Sequence, residues 1–449
     1  MKKIVHSLKD VNYKLWLAIL ATFVIPSVYQ TLRIYFLGNL PNDSGINIAS
    51  QSQWLNLLYE IIQEAMILPL FFILGKYIKD KDDFGSKVRS GLIVVSFVYS
   101  LLAFIIIIFA KKIVILMAQD TTLVDATVSY IRLETIGSLF SVMFKFLMVV
   151  FITIKKDKNI YYLLLLQMIL SMLSDTLLIS DFDLSLKIGV NGLAITNIFV
   201  NIILIATSIF ILRKEEVHIL KFKKSKYNWL KEWLEIGKFS GMESFLRNLA
   251  FIVMIVRMVN IVAEQGNYWI ANNFIWGWLL LPGLALADLV KQETAEKKEN
   301  ISTKTLGYIF LTAIFAIVWL SSIPLWTPFL KYVMNVENYQ TVFKIALIQT
   351  PFYLLFMFNS CIFDATFYGR GKTDYMLYQS IIIDVFYYGI MFILYISNIF
   401  VPTLLSISLM FGIGMSLDFI PTMVLYVKML KKEGITLIFI SEKSFIKEA

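Results

Sequence analysis

The sequence has 449 residues, of which 58% are hydrophobic and 16% charged, and its formal net charge is +9. A chain with this small a share of charged side chains cannot cover the core of a water-soluble protein of its size. The composition therefore excludes a soluble globular protein and indicates a multi-pass membrane protein. One cysteine and two histidines, both in polar connections, argue against a disulfide, a metal site or a histidine-based catalytic site, and we expect no metal and no catalytic residue.

Twelve apolar runs, each bounded by charged or turn residues, predict twelve transmembrane helices at roughly 20 residues per span. The fold class is therefore predicted to be all-α. The basic start is followed by a run too long for a signal peptide, so we expect the first span to be retained. The spans are predicted at residues 13–37, 53–78, 90–117, 127–154, 160–180, 188–212, 239–262, 266–290, 304–327, 340–368, 374–397 and 402–427.

The positions of the basic residues predict the orientation of these spans. When the connections alternate between two sides, 31 of the 41 Lys and Arg residues fall on one side. Cytoplasmic loops are enriched in Lys and Arg, so both termini are predicted to be cytoplasmic. The positive charge then belongs to cytoplasmic loops, and we expect no nucleic-acid partner.

The longest connection separates two sets of six spans. We predict an N-lobe at residues 1–212, a basic cytoplasmic linker at 213–238, a C-lobe at 239–428 and a cytoplasmic tail at 429–449. The end of the linker interleaves Trp229 and Trp233 with charged residues, which favours an amphipathic helix on the inner leaflet over a plain basic linker.

The two halves also show a weak internal repeat. Spans four and five align with spans ten and eleven at a constant offset of 214 residues, which pairs Lys158 with Lys372 and Tyr161 with Tyr375. The two halves have the same number of predicted spans in the same orientation. This predicts two lobes related by a pseudo-twofold axis along the membrane normal. Such repeats are frequent in transporters, whose substrates bind between the lobes.

Several segments resemble the multidrug and toxic compound extrusion (MATE) family. They are LSMLSDTLLI followed by IGVNGLAITNI, FYGRGKTDY, and GMESFLRNLAF. The resemblance implies twelve helices in two lobes and an alternating-access exporter driven by inward flow of Na⁺ or H⁺. The same superfamily includes flippases for lipid-linked saccharides.

The sequence departs from the family pattern at three places. The glycine turns after the second and eighth spans keep only Gly75 in one half and Gln292 in the other. Arg33 stands where many members carry an acidic residue near the end of the first span. The chain is therefore identified as a divergent relative whose ion coupling need not follow the family.

Charged residues inside the first six spans are candidates for ion coupling, because an ionisable group in the bilayer costs about 2.5–3.5 kcal/mol on insertion scales. Glu60 and Glu64 share one helical face, a setting that favours a proton or a cation. By resemblance, Asp175 matches a family ion-binding carboxylate. We predict that Arg33 pairs with Asp175 or Glu60 and replaces a coupling cation there; the alternative is a structural salt bridge.

The second half supplies further candidates. Glu243 resembles a family carboxylate and is spaced to pair with Arg247 along one helix. Asp364 and Asp384 are further ion-pathway candidates, and Asp384 is the most deeply placed. Candidates for a substrate cavity rich in aromatic and amide groups are Trp276, Asn272, Asn273 and Gln349.

The sequence thus predicts a MATE-like secondary transporter that exports organic cationic or amphipathic compounds from the cell. We expect a monomer in the cell membrane, with a small organic substrate and no cofactor beyond the coupling ion, Na⁺ or H⁺. The alternative is a flippase for an anionic lipid-linked saccharide, favoured by the intramembrane cations Arg33, Lys145, Arg247 and Arg257. A non-transporting receptor stays open, whereas an intramembrane enzyme is disfavoured.

Overall fold

The structure is a computed structural model that describes residues 2–41, 44–77, 81–217, 219 and 227–436. In this part of the chain all regular structure is helical, which confirms the all-α fold class. Of the predicted linker, residues 218 and 220–226 lie outside the described residues, as do residues 437–449 of the predicted tail.

The first half contains nine helices among the described residues. They are α1 (Lys2–Lys9), α2 (Tyr13–Gly38), α3 (Ser44–Ala49), α4 (Ser52–Met66), α5 (Leu70–Tyr77), α6 (Lys81–Leu116), α7 (Val124–Thr153), α8 (Asp157–Leu178) and α9 (Asn191–Lys214).

The second half contains ten further α-helices in the described ranges. They are α10 (Leu230–Phe251), α11 (Arg257–Ile261), α12 (Gln265–Phe274), α13 (Leu281–Glu296), α14 (Glu299–Pro328), α15 (Tyr339–Phe358), α16 (Ala365–Gly369), α17 (Thr373–Ser380), α18 (Tyr388–Ile396) and α19 (Leu404–Glu433). Five π-helical segments continue or join them, at Ile252–Val256, Ile275–Leu279, Phe329–Val333, Asn359–Asp364 and Ile381–Tyr387.

The predicted spans agree with these helices. Among the described residues, ten helices are long and apolar enough to cross a membrane, and there are eleven if the bent pair Gln265–Leu279 and Leu281–Glu296 forms one span. The predicted second span is divided into α4 and α5 at residues 67–69. The division and the bend of 59° fall at Pro69 and Pro282, where the missing N–H and the ring disfavour a straight helix. The orientation of the termini stays a prediction.

The helices form two compact units. Unit 1 contains Met1–Ser27, Ile270–Tyr332 and Asn338–Ala449, and unit 2 contains Val28–Trp269 and Val333–Glu337. The division falls inside α2 and α12, and it groups α10 with the helices of the first half. The lobe boundaries at residues 212 and 239 stay a prediction.

The turn between α7 and α8 has the same geometry as the turn between α16 and α17. In each, a residue with positive φ, Lys155 or Gly371, ends the helix. The next amide, of Lys156 or Lys372, donates to the carbonyl five residues earlier, as in a Schellman motif. The same turn ends other helices, for example at Ala118 and Ala263, so it does not test the repeat, which stays a prediction.

The predicted amphipathic segment belongs to α10 and its approach. Trp229 and Trp233 are stacked with ring centroids 4.9 Å apart, and both are buried. The Trp229 indole donates to Ser90 Oγ at 3.1 Å and the Trp233 indole donates to the Met66 carbonyl at 2.8 Å. These tryptophans therefore pack inside unit 2, against α4 and α6, and not on the leaflet.

Small residues bring α10 and α4 into close contact within unit 2. A Cβ atom added at Gly237 would lie 1.9 Å from the Ala65 carbonyl oxygen, and one at Gly241 would lie 2.6 Å from Ala65 Cβ. The two glycines are four residues apart and face one side of α10, which is the small-residue pattern of closely packed membrane helices. Ser240 Oγ also donates to the Glu64 carbonyl at 2.8 Å.

We expect Gly237→Ala to destabilise the protein, because its Cβ overlaps backbone that has no rotamer to change. Overpacking of this kind typically costs about 1–3 kcal/mol, and the Tm of the purified protein measures it. Gly389→Ala is the matched control, since no atom lies within 4 Å of an added Cβ there. Equal Tm values for the two variants would contradict the close contact.

Candidate functional site

Unit 2 encloses a polar cavity of about 180 Å³. Five of the helices that were predicted to form the N-lobe, α2, α4, α7, α8 and α9, supply its walls. Most of the lining side chains carry amide, hydroxyl or charged groups: Tyr29, Gln30, Arg33, Asn56, Glu134, Gly137, Ser138, Ser141, Gln167, Ser171, Asn197, Val200 and Asn201. Polar groups inside a membrane protein are costly unless they serve a pathway or a site, so this cavity is the candidate functional site.

Close packing of α7 and α9 places two of these groups side by side. A Cβ atom at Gly137 would lie 3.0 Å from Asn197 Cβ, so glycine lets the two helices approach. Asn197 and Asn201 are four residues apart on one face of α9, and the Asn201 amide donates to the Asn197 carbonyl at 2.7 Å. The Asn197 side chain lies against α7 and donates to Glu134 there.

Arg33 and Asp175 form an ion pair in unit 2. Arg33 Nε lies 2.6 Å from Asp175 Oδ2, and the Asp175 side chain is 1% exposed. The second carboxylate oxygen, Asp175 Oδ1, is buried without a hydrogen-bond partner. Of the two partners predicted for Arg33, Asp175 is the one that it contacts in the structure. The Arg33 guanidinium thus neutralises the carboxylate that resembles the family's ion ligand.

Glu134 is the second carboxylate of the cavity. It is buried, and the Asn197 Nδ2 group donates to both of its oxygens at 2.9 Å. It forms no ion pair with a described basic side chain, although Arg33 acts on it electrostatically. When Glu134 is ionised, Arg33, Asp175 and Glu134 together carry one excess negative charge, which a proton or a cation can neutralise.

A second charged cluster in unit 2 joins α4, α7 and α10. Arg247 Nη1 lies 3.2 Å from Glu60 Oε1, and Arg247 Nε lies 3.0 Å from Glu243 Oε1. Lys145 acts electrostatically on Glu60 and Glu64. The predicted ion pair between Glu243 and Arg247 along α10 is present. Glu60 forms an ion pair with Arg247 and not with Arg33. Three carboxylates, of Glu60, Glu64 and Glu243, therefore lie near two basic side chains, and the proton or cation site at Glu60 and Glu64 stays a prediction.

The predicted aromatic site lies in unit 1. Trp276, in the π-helical segment Ile275–Leu279, donates from its indole to Tyr353 Oη at 3.0 Å, and this hydroxyl donates to Asn272 Oδ1 at 3.4 Å. Phe356 packs edge-on at 5.6 Å between ring centroids. Trp276 is 39% exposed, so part of its ring face is open to a ligand.

The remaining candidates are dispersed within unit 1. Asn273 is partly exposed beside the buried Asn272, and Gln349 is buried in α15. Asp384 is partly exposed in the π-helical segment Ile381–Tyr387. Asp364 is buried and accepts a hydrogen bond from Gln379.

Sequence reasoning missed the amide groups of the unit 2 cavity and gave Glu134 no role. A signal was present, since Asn197 and Asn201 repeat at helical spacing inside an apolar run and polar residues inside spans usually face a partner or a cavity. The partner of Asn197 could not be read from the sequence, because it is set by how α7 and α9 pack.

Comparisons with known proteins agree with this architecture. No known family profile and no curated protein matches the sequence. Among solved structures, an inward-facing multidrug resistance MATE transporter of the MOP superfamily matches with a TM-score of 0.70 and 14% identity, over 96% of this chain and 98% of that one.

Two further structures support the same fold. A MOP superfamily transporter from Pyrococcus furiosus, whose binding pocket of reverse polarity suggests a different function, has a TM-score of 0.68 and 16% identity over 97% of this chain and 99% of its own. A variant of a Vibrio cholerae MATE transporter has a TM-score of 0.64 and 14% identity over 96% of this chain and 99% of its own. The predicted resemblance is thus confirmed at the level of the fold: the chain has the transporter fold of the MATE family and the MOP superfamily.

We expect Arg33→Met to destabilise the protein strongly, because it leaves Asp175 buried without its ionic partner. Removing one member of a buried ion pair costs about 3–5 kcal/mol, whereas the double variant Arg33→Met/Asp175→Leu removes both charges and should recover much of the loss. The Tm of the purified protein measures both changes.

Lys111→Met is the control for that prediction, since the ion pair of Lys111 with Asp125 is exposed and should contribute little. A double variant no more stable than Arg33→Met would show that Arg33 and Asp175 do not depend on each other.

Proposed function

We propose that this chain is a secondary active transporter that exports organic cationic or amphipathic compounds by alternating access, coupled to inward flow of Na⁺ or H⁺. It acts as a monomer in the cell membrane and needs no cofactor besides the coupling ion. The single observation that carries the proposal is the ion pair between Arg33 and Asp175, which leaves the Glu134 carboxylate of the cavity without an ionic partner among the described residues.

Each basic side chain that favoured an anionic substrate has a partner within unit 2. Arg33 binds Asp175 and Arg247 binds Glu60 and Glu243. Lys145 donates to Gln63 Oε1 at 2.9 Å, and Arg257 donates to the Leu116 carbonyl at 2.9 Å. An anionic headgroup would have to displace these partners, which makes cation export the better supported of the two functions.

One observation still favours a flippase for an anionic lipid-linked saccharide as the second candidate. Arg33 places a positive charge where the resemblance leads one to expect an acid. The similar Pyrococcus furiosus transporter has a binding pocket of reverse polarity that suggests a different function. A substrate able to draw Arg33 away from Asp175 would make the cavity attractive to anions.

The coupling ion would act at Glu134. The carboxylate faces the cavity and is bound by the neutral Asn197 amide, so its charge is available to a proton or a cation, whereas that of Asp175 is neutralised by Arg33. One charge entering down a potential of about 100 mV supplies about 2.3 kcal/mol. For an uncharged amphipathic substrate that free energy supports a roughly fiftyfold gradient. One-for-one exchange with a monovalent organic cation moves no net charge and is driven by the concentration gradient of the coupling ion.

The aromatic site around Trp276 would contact the organic part of the substrate. The hydrogen bond to Tyr353 fixes the indole plane, and Phe356 supports its edge. A lipophilic cation gains from such ring faces through cation–π attraction and from the burial of its apolar groups.

The proposal is tested with purified protein in sealed proteoliposomes under imposed sodium or proton gradients. Transport of a panel of fluorescent organic cations and anions should show accumulation of cations on the side from which the coupling ion enters. Glu134→Gln should abolish the response to the gradient, because the amide can take up neither a proton nor a cation. Asp181→Asn, at an exposed position, is the matched control.

Two results would contradict the proposal. One is cation transport in Glu134→Gln with its full dependence on the gradient. The other is movement of an anionic lipid-linked saccharide, and of none of the cations, by the unaltered protein.

We expect Trp276→Ala to raise the KM for aromatic cations about tenfold, corresponding to the loss of a cation–π contact and apolar area. Trp276→Phe keeps a ring face and should raise KM less. Initial rates at increasing substrate concentration measure the difference, and the same KM in both variants would exclude ring contact with the substrate.

A further inference from the structure

The loop between α8 and α9 carries apolar side chains on its surface. It comprises residues 179–190 of unit 2, and its segment FDLSLKI alternates apolar with polar residues. Loops are usually polar and rich in turn residues, so this segment needs a physical reason. Its four apolar members, called the apolar loop cluster below, are Phe182, Leu184, Leu186 and Ile188.

The cluster is open at the surface of the protein. Phe182 is 63% exposed, Leu184 88% and Leu186 71%, and Ile188 is exposed as well. No described part of the chain therefore covers most of these four side chains. A single exposed apolar residue is ordinary, whereas a group of neighbouring ones marks a surface that meets a partner or a membrane.

Backbone hydrogen bonds fix the position of the loop beside α8. The Leu186 amide donates to the Leu177 carbonyl at 2.8 Å, and the Ile188 amide donates to the Leu178 carbonyl at 2.8 Å. Both acceptors belong to the last turn of α8. The chain thus returns to the end of the helix, and the cluster lies next to that end.

A row of exposed apolar side chains runs along α8 toward the same place. Its members are three or four residues apart, so they share one face of the helix. They are Tyr162, Leu165, Ile169, Leu173 and Leu177. The 22 residues of α8 span about 33 Å, close to the roughly 30 Å of the hydrocarbon core. Since no described part of the chain covers this row, it is the lipid-facing side of a spanning helix.

We propose that the apolar loop cluster inserts into the lipid bilayer and anchors the α8–α9 loop in the leaflet at that end of α8. The bond between Leu186 and Leu177 places the cluster where the lipid-facing row ends, so one apolar surface continues from the helix into the loop. Apolar side chains gain free energy on leaving water. Charged neighbours beside them are typical of segments that lie in the membrane interface.

The charges of the loop indicate which part of the lipid it meets. Asp181, Asp183 and Lys187 are exposed and give the loop one excess negative charge. Anionic headgroups are bound by clusters of Lys and Arg, which this loop does not have. The partner is therefore the acyl-chain and glycerol region, and phosphatidylcholine is sufficient to bind the cluster.

The size of the cluster argues against a second copy of the chain as the partner. Stable protein interfaces take about 20–30 residues from each side, whereas the cluster offers four side chains from one short segment. A lipid leaflet needs no matching surface, so a small group of apolar side chains is enough to enter it.

The anchor has a consequence for the charges of α8. The Ile179 amide, at the start of the loop, donates to the Asp175 carbonyl at 2.9 Å, so the loop begins one turn beyond the residue that pairs with Arg33. An anchored loop fixes the depth of this end of α8 in the bilayer. The inference goes beyond the proposed function and does not depend on which compound is transported.

Spin labels on the full-length protein in phosphatidylcholine bilayers test the anchor. Cys361 is buried, and in a Cys361→Ala background a label attaches only to an introduced cysteine. Oxygen concentrates in the hydrocarbon core, and a charge-neutral nickel chelate stays in water. We expect labels at Leu184→Cys and Leu186→Cys to be relaxed more by oxygen than by the chelate.

Two positions serve as matched controls. Leu173→Cys, in the lipid-facing row, should show the same preference for oxygen. Thr121→Cys, exposed in the loop between α6 and α7, should show the reverse preference. If the labelled variants fail to fold, the unaltered protein is reconstituted with phosphatidylcholine that carries a photoreactive group on its acyl chain. Crosslinks are then expected within residues 182–188.

Three results would overturn the inference. One is a preference for the chelate at Leu184→Cys and Leu186→Cys equal to that at Thr121→Cys, or crosslinks in α8 without any in residues 182–188. Another is dipolar broadening between labels at position 184, which would make the cluster an interface between copies. The third is a preference for oxygen that appears only after phosphatidylglycerol is added, which would assign the loop to anionic headgroups instead.

Discussion

The free energy needed to bury charge in the hydrocarbon core governs this structure. An isolated charged side chain at the centre of a spanning helix costs about 2.5–3.5 kcal/mol on insertion scales. In unit 2 the basic side chains meet this cost with specific partners: Arg33 with Asp175, Arg247 with two glutamates, and Arg257 with a backbone carbonyl. The pairs connect helices that are far apart in sequence, so they also fix which helices pack together.

The same constraint separates structural groups from functional ones. A carboxylate matched by a guanidinium, such as Asp175, has little charge left for a ligand. Glu134 is matched by the neutral amide of Asn197, and the amides of Asn359 and Gln379 donate to the carboxylates of Asp418 and Asp364. Amide partners lower the cost of burial without removing the charge, which is the condition that an exchangeable ion requires.

The helices were largely predictable from the sequence because spanning a membrane demands long apolar runs. The predicted spans agree with the helices to within several residues, except that α6 and α10 begin nine residues before the spans predicted at 90 and 239. The breaks occur at Pro69 and Pro282. The charged ends of α6 and α19 were underestimated, since a helix continues into polar surroundings where the apolar pattern stops. The pairing of Glu243 with Arg247 followed from helical spacing alone.

Contacts across the fold were less predictable. Arg33 had two candidate partners in the sequence, and only the packing of α2 against α8 selects Asp175. Trp229 and Trp233 have the pattern of a leaflet helix, yet α4 and α6 cover them. No local pattern in the sequence indicated the five π-helical segments of the described residues.

The continuity of α10 has a mechanical consequence. It runs for 22 residues as a rod about 33 Å long, from the stacked tryptophans past the glycine contact with α4 to the ion pairs of Arg247. A rigid rod transmits a tilt applied at one end to every residue along it. A tilt of α10 at its tryptophan end would therefore also move Arg247 relative to Glu60.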